Sequence, residues 1–74
     1  MEYENIEYLI EDGGEITVGR QTRMGCVAIA NDEHNTLAML KRKPGETMTA
    51  LLERLDSAVY RAMEYEEFID EINP

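Results

Sequence analysis

A second cysteine is missing from these 74 residues, and with it any disulfide within the chain. One Cys and one His also cannot supply the four ligands of a structural zinc site. A domain this short buries only about 60% of the surface its unfolded chain exposes, so small domains usually add a staple or a partner. With both staples excluded, tight packing or self-association remains, and a homodimer is the expectation. No apolar run approaches the ~20 residues of a membrane span. The amino terminus, Met1-Glu2-Tyr3-Glu4, lacks the positive charge of a signal or transit peptide. Repeats, low-complexity tracts and linkers are missing too, which leaves a single domain over residues 1–74. Cys26, alone inside an apolar stretch, reads as a reduced core thiol, and the expected compartment is the cytoplasm.

Negative charge is what the chain has in excess, with a formal net of −9. Its distribution is segmented. Residues 1–15 hold six acids and no base; residues 16–43 hold five bases against Asp32 and Glu33; residues 44–74 hold eight acids against Arg54 and Arg61. The overall sign disfavours general nucleic-acid binding, which draws affinity from neutralised phosphates. It favours attraction to basic surfaces.

The pattern of apolar residues predicts an α+β fold. Ile16 and Val18 alternate with Thr17 and Gly19 in a strand running to Thr22. Gly25 introduces a second strand, Cys26-Val27-Ala28-Ile29-Ala30, and the polar Asn31–Asn35 turn leads to a third over Thr36–Arg42. Short connections make these an antiparallel meander. A buried helix is the competing reading of residues 36–42. Residues 1–10 fit a helical stripe through Tyr3, Ile6, Leu9 and Ile10. They also fit the strand alternation Ile6-Tyr8-Ile10, which is preferred here and would add a fourth strand.

Pro44-Gly45-Glu46-Thr47 breaks the pattern, with Glu46 or Thr47 expected in the first turn of a helix. Met48, Leu51, Leu52, Leu55, Ala58, Val59, Ala62 and Met63 recur at helical spacing, predicting one long amphipathic carboxy-terminal helix from about Glu46 to Met63. Two readings of its end stay open. A heptad seam through Tyr65, Ile69 and Ile72 continues the helix to Asn73; a break near Tyr65 leaves a docking segment ending at Pro74. The helix can cover only one sheet face. Val27 and Ile29 point opposite to Cys26, Ala28 and Ala30, so the other face needs a partner subunit, the acidic amino-terminal segment or the tail.

Strand, turn and strand, then Pro44-Gly45-Glu46-Thr47 and the Leu51-Leu52-Glu53-Arg54-Leu55-Asp56 helix, resemble small bacterial proteins of unassigned function over roughly residues 25–73. That resemblance implies no activity. The Gly25-Cys26-Val27 strand with its following helix is also similar to the HicB-type antitoxin half-domain. A toxin-binding signature and a separate DNA-binding segment are lacking, and no residue role follows from it.

Chemistry-bearing clusters are few. Cys26 with His34 matches no nucleophile–base spacing, and Asp32-Glu33-His34 is better explained as a solvated turn than as metal ligands. No catalytic residue, cofactor or metal is expected, so the chain is read as a non-enzyme. Glu64, Glu66, Glu67, Asp70 and Glu71 form the candidate surface for a basic protein partner. The alternative is an anion site made by Arg20, Arg23, Lys41, Arg42 and Lys43, whose two groups would meet at one sheet edge in a meander. Against that stands internal pairing of these bases with the many acids. A glycine-rich phosphate loop is missing, as is any aromatic residue between Arg20 and Lys43, which weakens a nucleic-acid version. The expected molecule is an acidic adaptor or inhibitor with no membrane role. Its rival is a nucleic-acid-associated regulator.

Overall fold

A computed structural model describes residues 3–21 and 23–73. Glu2, Thr22 and Pro74, which entered above as an acid, a strand end and a tail end, lie outside the described residues. The chain order is α1 (Glu4–Glu11), β1 (Glu15–Gln21), β2 (Gly25–Asn31), β3 (Thr36–Lys41), α2 (Met48–Tyr65) and β4 (Ile69–Asp70). The α+β expectation holds. β1, β2 and β3 are an antiparallel meander, and the 18-residue α2 packs on one face of the sheet.

The expected strand at residues 1–10 is a helix. Tyr8 and Ile10, two members of the strand alternation, are largely exposed, whereas Ile6 and Leu9 of the helical stripe are buried. Helix α1 has no side-chain cap of its own, because Tyr3 sits at its N-cap. Asp56 of α2 supplies one instead. Its Oδ1 accepts the amides of Asn5 and Ile6, both at 2.9 Å, and its Oδ2 accepts Asn5 Nδ2 at 2.8 Å. A carboxylate at the amide end of a helix satisfies donors that otherwise have no partner. This cap arrives from 51 residues away, out of reach of any local pattern.

The fourth strand is made by the tail, not by the amino terminus. β4 pairs parallel with β3, Ala38 facing Ile69 and Met39 facing Asp70. Thus β3, α2 and β4 form a crossover unit, and α2 ends at Tyr65 instead of following the heptad seam to Asn73. The electrostatics account for that stop: no base lies in the last turn of α2, while Glu64, Glu66 and Glu67 crowd its negative carbonyl end. Glu66 turns into the left-handed region at φ 56, and the amides of Glu66 and Glu67 bond back to the carbonyls of Ala62 and Arg61.

At the other end the helix starts later than expected. Thr47 is the N-cap, its Oγ1 accepting the Ala50 amide at 3.1 Å, so Glu46 stands outside the first turn. Lys43-Pro44-Gly45-Glu46 closes as a turn with the Glu46 amide on the Lys43 carbonyl, Pro44 at its second position and Gly45 at φ 78. Proline followed by a positive-φ residue is the requirement of a type II turn. Gly14 matters for a different reason. A Cβ there would sit 2.5 Å from Leu9 and 2.7 Å from the Asn31 carbonyl oxygen, so α1 reaches β1 only across a bare backbone.

The core lies between the helices and one sheet face. Val18, Ala28 and Leu40 form one row across the strands; Ile16, Ala30, Ala38 and Ile69 form the next. Small residues on β2 let Leu51, Leu55, Ala58, Val59 and Ala62 of α2 approach closely, and Ile6 and Leu9 complete the cluster. Each large side chain fully buried there contributes roughly 1.5–3 kcal/mol. Val27, Ile29 and Met39 face the opposite way. The amino-terminal segment packs beside α2, and the tail extends the sheet edge. On that second face Val27 is fully buried while Ile29 and Met39 stay half-buried, and the tail reaches it at Asn73 Nδ2, 3.9 Å from Met39 Sδ.

Candidate functional site

The meander gathers the bases at one end of the sheet. Arg20 pairs with Cys26 on one side of β2, while on the other the Arg42 amide donates to the Cys26 carbonyl at 2.9 Å. Two strand spacings therefore separate Arg20 from Arg42, roughly 10 Å of backbone. Arg23 lies in the adjoining hairpin turn, Lys41 ends β3, and Lys43 opens the turn that follows. All five are exposed. The expected pairing of these bases with acids is not observed: among the described residues the ion pairs are Arg54–Glu46 and Arg54–Glu71, and none of the five takes part. Arg42 does spend its Nε on the Glu46 carbonyl oxygen at 2.7 Å.

The opposite end of the sheet is acidic. There β1 begins at Glu15, opposite Asn31, next to the turn that carries Asp32 and Glu33. Since β4 runs parallel to β3, α2 also delivers Glu64, Glu66 and Glu67 to this end. The five acids predicted as one surface are thus divided. Glu64, Glu66 and Glu67 stay exposed around the helix terminus. Asp70 folds into the tail, where its carboxylate accepts the amides of Ile72 and Asn73 at 2.9 and 2.8 Å. Those bonds, the Asn73 amide foremost, hold its carboxyl below the ordinary value.

Glu71 is wired into a hub centred on Arg54. The Arg54 guanidinium makes two bonds to Glu46, at 2.7 and 3.0 Å, one to Glu71 Oε2 at 2.9 Å, and one to the Lys41 carbonyl at 3.0 Å. Glu71 Oε1 accepts the Lys41 amide, and Glu46 Oε1 accepts the Lys43 amide, each at 2.9 Å. Arg54, followed by the Lys43 amide, pulls the Glu46 carboxyl down to about 2, and Glu46 in turn raises Arg54. The hub ties α2, the end of β3 and the tail together. A depression of about 540 Å³ beside it is lined by Glu46, Glu53, Arg54, Ser57, Arg61 and Glu71 among others. Its one hydroxyl, Ser57, has no histidine among the lining residues to activate it. Asp56 and Arg54 left little trace in the sequence beyond being charged residues beside Leu55 on an apolar helix.

Cys26 and His34 do not meet. They lie toward opposite ends of β2, about 20 Å apart along the strand at its usual rise. Asp32 Oδ1 accepts the amides of His34 and Asn35 at 2.8 and 2.6 Å, which lowers its pKa and builds the turn. Among the described residues no group of three or more His, Cys, Asp or Glu side chains is placed to hold a metal ion. Among the described residues no helix is long and apolar enough to cross a membrane. No family model, curated protein or solved structure matches the chain.

Proposed function

We propose that the chain is a non-enzymatic interaction protein, an adaptor or inhibitor, that binds a basic protein partner through the acidic end of α2. The observation that carries this reading is Glu64, Glu66 and Glu67 around the carbonyl end of an 18-residue helix with no base in its last turn. Helix carbonyls favour cations there, so three carboxylates weaken the helix end and strengthen its pull on a cationic surface. Glu66 adds a cost of its own, since it holds a left-handed conformation that glycine adopts more cheaply. Asp70 and Glu71 support the surface from the tail and do not present free carboxylates.

The partner reading includes a homodimer in the cytoplasm. Half-buried Ile29 and Met39 on the helix-free sheet face support self-association as the means of covering them. Anisotropy of a labelled cationic peptide tests the main claim. Affinity falls steeply from about 50 to about 200 mM salt, as screening of exposed charges requires. An affinity indifferent to salt contradicts it, and light scattering that returns a monomer removes the dimer.

One observation favours a second reading, a nucleic-acid-associated, antitoxin-like regulator: the five bases at the other sheet end are exposed and outside any ion pair among the described residues. Gel-shift titration with DNA and RNA decides it. Retardation that Arg42→Glu abolishes supports this reading, and a flat titration disposes of it.

A further inference from the structure

Large apolar side chains are left exposed at one place in particular. Helices α1 and α2 enclose a groove of about 460 Å³, lined by Glu4, Asn5 and Tyr8 from α1 and by Tyr60, Met63 and Glu64 from α2. Tyr8 is 60% exposed and Tyr65, just beyond the groove, 62%. The Tyr60 and Tyr65 rings meet edge to face, with centroids 5.9 Å apart and an angle of 81°. That contact fixes the Tyr60 ring without burying it. Each wall carries a carboxylate, Glu4 on one and Glu64 on the other, and no base is among the lining residues.

The chemistry of the lining selects its occupant. A purely apolar segment would strip water from two carboxylates and give nothing back. A metal ion would find only two carboxylates and an amide. An arginine side chain matches every part: its stem lies on Met63 and the tyrosines, its planar guanidinium stacks on aromatic faces, and its five donors suit carboxylates. We propose that this groove receives an arginine side chain of the basic partner, read between Tyr60 and the carboxylates of Glu4 and Glu64. The proposal rests on the partner reading above and gives it a specific anchor. Long-range charge at the end of α2 would steer the partner, and the groove would hold it.

The test is an NMR titration of the full chain with N-acetyl hexa-arginine amide, hexalysine and hexaglutamate. Ring resonances of Tyr8 and Tyr60 and the Met63 methyl shift with hexa-arginine, hexalysine binds about three- to fivefold more weakly, and hexaglutamate does nothing. Tyr60→Ala lowers hexa-arginine affinity by about three- to fivefold while Tyr60→Phe restores it, because the ring face and not the hydroxyl carries the contact. The wild-type ring shifts decide the matter even if the alanine variant folds poorly. Shifts confined to the backbone of Glu66 and Glu67 overturn the groove and leave the partner reading standing. Equal affinity for hexalysine overturns the arginine assignment. No binding of hexa-arginine anywhere removes both. Movement of the same rings on raising protein concentration alone makes a second copy the occupant and overturns a separate partner.

Discussion

Glutamates do opposite jobs in two regions of this molecule. Around Arg54, Glu46 and Glu71 are consumed by the fold, bonded to one guanidinium and to the amides of Lys43 and Lys41. At the end of α2, Glu64, Glu66 and Glu67 have no base beside them in the last helical turn, and they remain exposed. The difference shows how to weigh charge in a small acidic domain. A carboxylate near a base or a helix amide end is architecture; one that weakens its own helix is a candidate for recognition. The basic sheet end behaves like the second region, since its five bases stay outside the ion pairs that the first region forms.

The largest expected effect sharpens the architectural side. Asp56→Ala strands the amides of Asn5 and Ile6 and costs about 2 kcal/mol, the upper range for loss of a helix cap, read from the urea midpoint. A loss below about 0.5 kcal/mol means that α1 is held by packing alone. Next comes Arg54→Met, which keeps the stem and removes the guanidinium. It costs about 1 kcal/mol after allowance for solvent screening, and hydrogen exchange at the Glu71 amide, which donates to the Met39 carbonyl, rises as the tail loosens.

Smaller, and of opposite sign, is the release of left-handed strain. Glu66→Gly and Arg23→Gly, at φ 56 and φ 77, each raise stability by about 0.5–1 kcal/mol. Glu66→Gly also weakens binding of a cationic peptide, whereas Arg23→Gly leaves it unchanged. Weakening by both would blur the two regions into one surface. The smallest effect is one of slope. Glu46 has its carboxyl held at about 2 in the fold against an ordinary 4.5, so its contribution is complete above about pH 4.5 and fades as pH falls toward 2. Glu46→Gln is therefore less stable than the parent at neutral pH, and the gap closes through that acid window. A constant gap assigns the effect to something other than ionisation.

Much of this architecture was legible from apolar periodicity. Val18, Ala28 and Leu40 announced strands, and Leu51, Leu55 and Val59 announced α2, because each element carries its own buried face. Helix α1 resembles a strand in sequence because its cap is Asp56, distant along the chain, and because Ile10 and Tyr8 are apolar residues that the fold leaves exposed. Strand β4 leaves no signal in the sequence, because two residues have no period; only pairing with Ala38 and Met39 makes them a strand. The segmented charge did survive into three dimensions as two ends of one sheet. Which acids the fold uses up was hidden, since Glu46, Arg54 and Glu71 meet only once α2 crosses back over β3.

The most direct measurement compares the affinity of a cationic peptide for the parent and for the Glu64→Gln, Glu66→Gln, Glu67→Gln triple variant at about 50 mM salt. Binding at least about tenfold weaker is expected, with a stability no lower than the parent's, because the three carboxylates have no ion-pair partner in the described fold and their charge opposes the carbonyl end of α2. Unchanged affinity in a folded triple variant would contradict it.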